Sequence, residues 1–471
     1  MVFSSPAFIF GFLPIFLALY FATPSRFKNG TILVASLFFY SIDSGSMTII
    51  LCGSIFVNYL IALYLRKATG MAGKTGLALG IVANLLPLFY YKYGMFLLRS
   101  ANEVASMFTS KNAVDVFQIL LPAGISFYTF HAISYLVDVH NRKVEPARSL
   151  VDFGMYMANF PQLIAGPIVR YSEIVDVVRN RKVKLDQIYS GLLIFILGLS
   201  KKIILADSVG GIADSIFGLP QGELNAGLAW LGAFAYSLQI FFDFSGYSDM
   251  AIGLGRMMGF EFPQNFNQPY RSKNITEFWR RWHMTLSRWF RDYLYIPLGG
   301  NRAGRSRTFI NLFIVFFLCG LWHGAAYTFI IWGIYHGVLL IIERELLSRY
   351  GFATSGWPGQ AWTFLLVIIG WVFFRTSSLS VAIGYLAMMA GIGPQLATEP
   401  AIATVLGADK ITYLLVATVC AIFPVERLRL RRGSAAPWMT GVQMAAGATL
   451  MAFSCMLIAA NGFNPFIYFR F

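Results

Sequence analysis

The stretch that decides the fold is FFLCGLWHGAAYTFIIWGIYHG, residues 316–337, which contains no aspartate, glutamate, lysine or arginine. An apolar run of roughly 17 to 25 residues is long enough to cross a hydrocarbon core of about 30 Å. The backbone has no water to bond inside lipid, so such a run must satisfy its own polar groups as a helix. Residues 316–337 therefore predict helical structure embedded in a membrane.

The whole chain has the same apolar character. Of its 471 residues, 57% are hydrophobic and 13% are charged, and the mean hydropathy is +0.62. A soluble domain of this length would carry about a quarter charged residues. The apolar runs are continuous and do not alternate, which argues against a β-barrel. We therefore predict an integral membrane protein.

The apolar segments predict an all-α polytopic fold of about 10–12 transmembrane helices, in one domain over residues 1–471. The first segment lacks the basic region and cleavage site of a secretory signal, so we expect it to be retained as a span. FPQLIAGPIV, residues 160–169, is too short and too broken by glycine and proline to span, and we predict a re-entrant piece covered by other helices. The predicted spans are 7–23, 31–43, 47–65, 76–98, 115–138, 187–206, 226–244, 308–319, 325–346, 361–375, 410–424 and 439–460.

The net charge is +15, and in a membrane protein such an excess is expected mainly in cytoplasmic loops. Basic loops of membrane proteins favour the cytoplasmic side, so we predict that 141–148, 179–184, 271–307 and 427–432 lie there. The span after 427–432 would then carry the C-terminus to the outer face. We interpret 271–307 as an interfacial basic region that attracts an anionic substrate or lipid, and we assign no nucleic-acid partner.

The four cysteines lie far apart in apolar surroundings, without a CxxC motif. We expect them to be buried packing residues, and we predict no disulfide framework, metal site or bound cofactor.

Residues 278–293, FWRRWHMTLSRWFRDY, predict one amphipathic interfacial helix with tryptophans on one face and arginines on the other. His283 falls on the apolar stripe. It is either a buried hydrogen-bonding residue or a group that handles a proton or orients a substrate. The face with Arg280 and Arg281 either binds anionic lipid or draws in a polyanionic donor.

His323 lies within the apolar stretch, between Gly320 and Gly324. Ionisable groups inside a membrane are costly, which favours a functional role over packing, and glycine allows close backbone approach. His336 would lie about 20 Å away on a continuous helix, on nearly the opposite face, so we predict a structural role for it.

Asp243 and Asp249 stand out in QIFFDFSGYSDMAIG. They either cap a helix break or form a polar patch that orients a histidine. We interpret His131 as a core residue and His140 as a surface residue.

Three stretches together resemble the membrane-bound O-acyltransferase family, and within it the bacterial alginate O-acetylase branch: DFSGYSDMAIGLG, NFNQPYRSKNITEFWRRWHMTLSRWFRDYLYIPLGGNR and GLWHGAAYTFIIWGIYHG. The resemblance covers most of the chain. It implies a ring of helices around a thin centre crossed by a tunnel, with the donor entering from the cytoplasm. It also implies a bacterial inner-membrane location.

The resemblance implies that His323 is the signature catalytic histidine. His283 matches a second family position, usually histidine, asparagine or aspartate. The remaining predicted substrate-binding residues are Trp282, Arg280, Arg281, Trp322 and Asp249. The expected acyl donor is acetyl-coenzyme A. Expected partners are membrane lipids, a separate extracytoplasmic SGNH-hydrolase-like acetyltransferase and the polysaccharide export machinery.

The chain ends NPFIYFRF, residues 464–471, which resembles the acyl-accepting tyrosine motif of a small peptide in teichoic-acid D-alanylation. By this resemblance Tyr468 enters the tunnel from outside and accepts acetyl with help from His323. The alternative is an aromatic belt that anchors the last span at the membrane surface.

The sequence thus favours a membrane O-acetyltransferase for a secreted polysaccharide, alginate first. The same chemistry on cellulose, another exopolysaccharide or peptidoglycan stays open. A transporter or flippase is the alternative from a different class, since intramembrane histidines and aspartates also suit one.

Overall fold

The computed structural model describes residues 1–108, 118–302, 304–350, 354–393, 406–423, 437–462 and 464–467. Tyr468 and the basic run 427–432 lie outside the described residues.

The described residues form helices joined by loops and contain no strand, which confirms the predicted all-α fold. Several helices continue into π-helical turns, at Ala7–Phe12, Phe89–Tyr93, Lys201–Ala206 and Arg291–Tyr295. The α-helices are α1 (Leu13–Ala22), α2 (Lys28–Ser44), α3 (Thr48–Lys67), α4 (Gly70–Leu88), α5 (Gly94–Ser106), α6 (Ile125–His140), α7 (Leu150–Ala158), α8 (Phe160–Leu163), α9 (Tyr171–Arg179), α10 (Leu185–Ser200), α11 (Asp207–Phe217), α12 (Ala226–Met257), α13 (Ile275–Arg281), α14 (Met284–Phe290), α15 (Arg305–His323), α16 (Tyr327–Tyr350), α17 (Gly356–Arg375), α18 (Leu379–Met389), α19 (Ala408–Ile422) and α20 (Pro437–Asn461).

Within the described residues, seven helical segments are long and apolar enough to cross a membrane. This number supports a multi-pass membrane protein, as the hydropathy predicts. The segments are Ser25–Lys67, Gly70–Ser106, Leu185–Phe217, Ala226–Met257, Arg305–His323, Gly356–Arg375 and Thr440–Ala460.

The chain divides into two compact units. The first comprises Met1–Gly191 and Ala251–Pro263, and the second comprises Leu192–Met250 and Gln264–Phe471.

In the first unit, a buried pair of amides joins α3 to α4. Asn84 Nδ2 donates to Asn58 Oδ1 at 2.7 Å, and Asn58 Nδ2 donates to Asn84 Oδ1 at 2.9 Å. The stretch 160–169 is buried throughout and consists of the short α8 followed by non-helical backbone. Irregular backbone is thus covered by protein here, as expected for a re-entrant piece.

In the second unit, glycines set the closest helix contacts. A Cβ atom on Gly320 would lie 2.3 Å from the carbonyl oxygen of Phe329, and one on Gly333 would lie 2.3 Å from that of Phe316. The backbones of α15 and α16 therefore touch, and small residues at this contact are what close helix approach in a membrane requires.

A second close contact joins α10 to α12. A Cβ atom on Gly198 would lie 2.6 Å from the carbonyl oxygen of Gly246, and a Cβ atom on Gly246 would lie 2.7 Å from the carbonyl oxygen of Gly198. This contact brings the end of α10 and the π-turn after it against the middle of α12.

The predicted continuous helix over 278–293 is wrong. α13 ends at Arg281, and α14 begins at Met284 after an extended residue and a left-handed one. In a continuing helix the Met284 N–H would bond four residues back, but here it donates to the carbonyl oxygen of Asn265 at 2.9 Å. The carbonyl oxygen of a loop residue 19 positions earlier therefore accepts the hydrogen bond that would continue the helix.

Two further predictions about helix limits are wrong. α12 runs without a break to Met257, so Asp243 and Asp249 lie inside a helix and do not cap one. Between His323 and His336 the chain does break, at an extended Gly324, so the two histidines lie on different helices. The 20 Å separation expected along one helix does not apply.

Candidate active site

The left-handed turn between α13 and α14 presents His283 to the interior of the second unit. Its side chain is fully buried. Its Nδ1 lies 3.1 Å from Oδ1 of Asn265, and the same oxygen accepts from Thr285 N–H at 3.2 Å and from the Thr285 hydroxyl at 2.8 Å. The ring is therefore fixed by a specific polar contact as well as by its backbone.

His323 is the last residue of α15 and is also buried. The rings of Trp322, Trp332 and Phe374 lie around it at centroid distances of 4.9, 4.9 and 5.2 Å. The centroids of the His323 and His283 rings are 6.5 Å apart. The structure thus brings the two predicted catalytic histidines together in one aromatic site.

The two predicted substrate-binding tryptophans have different surroundings. The Trp322 ring also lies 5.9 Å from that of His283, so it touches both histidines. Trp282 is buried against Phe266 at 5.0 Å and Trp371 at 4.8 Å. Trp322 lines the site, whereas Trp282 belongs to the aromatic wall behind His283.

His336 lies in the same wall. Its ring packs against Trp279 and Trp332, each at 5.2 Å, and the Trp332 ring also contacts His323. Its surroundings are therefore aromatic packing.

The two predicted donor-binding arginines lie at the C-terminal end of α13. Arg280 is exposed. Arg281 pairs with Glu277 at 2.8 Å and donates to the carbonyl oxygen of Asn267 at 3.1 Å. The ion pair ties Arg281 to its own helix, so Arg280 is the more accessible guanidinium.

Asp243 and Asp249 form a polar patch whose partners are two consecutive lysines. Lys201 Nζ lies 2.7 Å from Asp249, and Lys202 Nζ lies 2.7 Å from Asp243 and 2.7 Å from Asp207. The Lys202 and Asp243 side chains are each 2% exposed. Burial of a charged pair this deep needs good geometry, because the desolvation of both charges is costly.

The described part of the C-terminal tail rests on this ion pair. The Ile467 N–H donates to Asp243 Oδ2 at 2.8 Å. The Phe466 ring lies 5.0 Å from Lys202 Nζ and 4.8 Å from the ring of Tyr247, and it is 1% exposed. Phe466 and Ile467, directly before Tyr468, are therefore packed inside the second unit, whereas Asn464 and Pro465 are exposed.

Helix α12 connects the tail to the histidines. Phe244 packs edge-on against the His283 ring at 4.8 Å, while Tyr247 packs edge-on against Phe466 at 4.8 Å. Residues three apart lie on the same face of a helix. The buried Phe466 thus lies about one helical turn along α12 from the contact with His283.

Burial lowers the pKa of His283 from its ordinary 6.5 to about 3. The residue lies outside the candidate spans. At neutral pH the imidazole is therefore uncharged, and one of its two ring nitrogens has a free electron pair that can accept a proton or a hydrogen bond.

Sequence reasoning misses Lys202 and Asn265. The two lysines within the apolar run 187–206 could have indicated a buried ion pair, because charged residues in such a run are rare and usually paired. Asn265 gives no such signal, since it lies in a polar loop 18 residues from His283.

Comparison of the sequence with known proteins identifies the family of this chain. Residues 36–382 match the model of the membrane-bound O-acyltransferase family. A Pseudomonas putida protein described as a probable alginate O-acetylase is 42% identical, with 100% of both chains aligned. The peptidoglycan O-acetyltransferase of Helicobacter pylori is 37% identical over 83% of this chain and 80% of its own length. The teichoic acid D-alanyltransferase of Bacillus subtilis is 31% identical over 61% of this chain and 73% of its own length. The chain therefore belongs to the membrane-bound O-acyltransferase family.

Proposed function

We propose that this enzyme takes an acetyl group from acetyl-coenzyme A at the cytoplasmic face of a bacterial inner membrane and passes it outward for O-acetylation of a secreted polysaccharide. The observation that carries the proposal is the buried histidine pair, with ring centroids 6.5 Å apart, and the buried Phe466 and Ile467 about one turn of α12 away from it. The Pseudomonas putida relative, aligned over both whole chains, favours alginate as the acceptor.

The proposed first step transfers acetyl to the tail. A phenol is a weak nucleophile until its proton is removed, and histidine is the side chain best suited to remove it near neutral pH. The His323 imidazole takes the Tyr468 proton as the phenolic oxygen bonds to the thioester carbonyl carbon. The carbon–sulfur bond breaks, and the leaving thiolate takes the proton from the imidazolium. The products are an acetyl-tyrosine ester and free coenzyme A.

The proposed second step passes the acetyl group on. Phenoxide leaves far more readily than an alkoxide, so the tyrosine ester is a good acyl donor. An extracytoplasmic SGNH-hydrolase-like acetyltransferase, working with the export machinery, would supply the attacking hydroxyl. The hydroxyl proton would return to the phenol, which regenerates Tyr468.

The burial of Phe466 and Ile467 favours this carrier role over an interfacial aromatic belt. A belt would place the aromatic residues at the lipid boundary, where Tyr and Trp sit at headgroup level. Phe466 instead lies against Lys202 and Tyr247 in the interior, and Ile467 is held by Asp243.

The proposed binding of acetyl-coenzyme A is supported by the positive charge of the basic region. Acetyl-coenzyme A carries several phosphate charges, and a basic surface would raise its local concentration. Exposed Arg280 and the basic region 271–307 would supply that surface on the cytoplasmic side.

Two alternatives make different predictions. The Helicobacter pylori relative keeps peptidoglycan open as the acceptor, and cellulose or another exopolysaccharide would need the same chemistry. A transporter or flippase would never consume acetyl-coenzyme A.

The test is acetyl-group analysis of the secreted polymer in a deletion strain complemented with variants. We expect His323→Ala and Tyr468→Phe to be made at wild-type levels and to leave the polymer unacetylated. His140→Ala, at the end of α6 in the first unit, removes a histidine to which the proposed chemistry gives no role, and it is expected to restore acetylation. A fully acetylated polymer with His323→Ala would overturn the catalytic assignment, whereas one with Tyr468→Phe alone would overturn the carrier step.

A further inference from the structure

The polar contact of His283 contains information about where its proton lies. Oδ1 of Asn265 accepts from Thr285 N–H at 3.2 Å and from the Thr285 hydroxyl at 2.8 Å, and it lies 3.1 Å from His283 Nδ1. A backbone N–H can only donate. The Asn265 atom facing it must therefore be the carbonyl oxygen, because a flipped amide would set two donors against each other.

This orientation fixes the histidine. An amide oxygen can only accept, so His283 Nδ1 must carry a hydrogen and donate it. In a neutral imidazole the other nitrogen, Nε2, is then unprotonated. Nε2 is buried, and it has no hydrogen-bond partner within the part of the chain that the structure describes.

We propose that Asn265 is a positioning residue that holds His283 as the Nδ1–H tautomer and so presents its unprotonated Nε2 as a hydrogen-bond acceptor for the reacting hydroxyl. The inference rests on the proposed function, in which the phenol hydroxyl of the carrier must be oriented toward the acyl donor. A buried acceptor without a protein partner is a group that a substrate O–H can satisfy.

The groups around His283 are mostly aromatic, so the tautomer decides which ring nitrogen can accept a hydrogen bond. The rings that pack on it are Phe244 from α12, Phe266 from the preceding loop, and Trp322 and His323 from α15. His323 is the titratable group among these neighbours. Within the described part of the chain, burial alone lowers the pKa of His283, and no charged side chain shifts it.

Two substitutions of Asn265 separate positioning from simple packing. Asn265→Asp keeps an oxygen for Thr285 and for His283 Nδ1–H, but its negative charge stabilises the imidazolium. We expect most activity to remain and the acidic limb of the pH–kcat/KM profile to move to higher pH. Asn265→Leu keeps the size and removes the acceptor, and we expect a loss of kcat of at least about tenfold.

The matched control is Asn311→Leu. Asn311 is an equally buried asparagine that donates to the carbonyl oxygens of Leu298 and Gly300 at 3.3 and 3.1 Å. We expect this variant to lose stability but to keep its activity per folded molecule and its pH profile.

A measurement without turnover tests the tautomer itself. Nitrogen-15 NMR of histidine-labelled wild-type protein, with His283→Asn to assign the signal, should show an unprotonated Nε2 and a protonated Nδ1 at neutral pH. A protonated Nε2 would overturn the inference, as would wild-type kinetics and pH profile in both Asn265 variants. Because the spectrum needs no activity, the inference can fail or hold whatever the outcome for His323 and Tyr468.

Discussion

At the residue scale, position 283 is constrained by its backbone as well as by its chemistry. Its φ of 42° and ψ of 54° lie in the left-handed region. That conformation costs an L-residue roughly 1–2 kcal/mol, and histidine, asparagine and aspartate adopt it more readily than other non-glycine residues. The family resemblance allows these same three residues at this position. Each of them also carries a side-chain atom that can accept a hydrogen bond.

The buried, neutral state of His283 predicts a pH-dependent stability. The folded pKa is about 3 and the ordinary value is 6.5. The unfolded chain therefore binds a proton below about pH 6.5 that the folded protein does not, and stability falls as the pH drops through that window. Between pH 7 and pH 5, His283 should remove about 2 kcal/mol from the free energy of unfolding.

The measurement is the apparent melting temperature in detergent at pH 7 and pH 5, for the wild type and for His283→Asn. Asparagine suits the left-handed backbone and does not titrate, so the variant should lose less stability on acidification. An equal loss in both proteins would show that His283 is not the group responsible.

At this scale the sequence identifies ionisable side chains that are costly to bury, because the apolar residues next to them in sequence reveal the burial. His283 and His323 stand out because an ionisable side chain on an apolar stripe or in an apolar run is expensive. That the two rings lie 6.5 Å apart is not predictable in the same way, because the contact joins different helices. The orientation of His283 by Asn265 depends on tertiary structure for the same reason.

At the element scale, the α15–α16 hairpin positions His323. Gly320 and Gly333 let the two backbones touch, and Trp332 on α16 then packs against the His323 ring at 4.9 Å. A side chain at Gly320 would push the helices apart and move both rings.

We predict that Gly320→Ala destabilises the protein by about 1–3 kcal/mol, since the added carbon would lie 2.3 Å from a carbonyl oxygen. Acetyl transfer should fall with it. Gly211→Ala is the control, because Gly211 lies within α11 and nothing comes within 4 Å of the added carbon. Thermal unfolding in detergent and acetyl-coenzyme A turnover give both readouts. Equal behaviour of the two variants would contradict the close-contact account.

The ion pair between α12 and the π-turn after α10 predicts how the tail is held. Asp243→Asn removes the charge that pairs with Lys202 and weakens the bond to the Ile467 N–H. We expect carboxypeptidase to digest past Ile467 at least about tenfold faster, because a buried pair is broken and the tail is released.

Asp249→Asn is the matched control for tail release. It breaks the corresponding pair with Lys201 on the same helices, six residues away from Asp243. Its tail should resist digestion as in the wild type. Equal release of the tail in both variants would assign it to general loosening of α12.

Some of these elements can be predicted from the sequence and others cannot. Helices with long apolar runs, such as α10, α17 and α20, are predictable because lipid leaves the backbone no alternative. The break at residues 282 and 283 is not, because a helical wheel contains no information about the Asn265 carbonyl that takes the Met284 N–H. The uninterrupted α12 is missed for a similar reason. Its serines, glycine and aspartates suggest a helix cap, because the lysines that pair with the two aspartates lie on a different element.

At the scale of the whole molecule, composition determines the class of protein. A chain with 57% hydrophobic and 13% charged residues has about half the charge of a soluble domain, which favours a lipid environment. The seven segments able to span, and the family match over residues 36–382, agree with that inference. The proposed path of the acetyl group across the membrane depends on the tail.

The most direct test of the central claim is mass spectrometry of the C-terminal peptide after incubation of the purified enzyme with acetyl-coenzyme A. We predict one acetyl group on Tyr468 in the wild type, removed by hydroxylamine as expected for a phenyl ester. The same peptide should stay unmodified in His323→Ala. An enzyme that consumes acetyl-coenzyme A and acetylates its acceptor, while its C-terminal peptide never carries acetyl at any time point, would contradict the account.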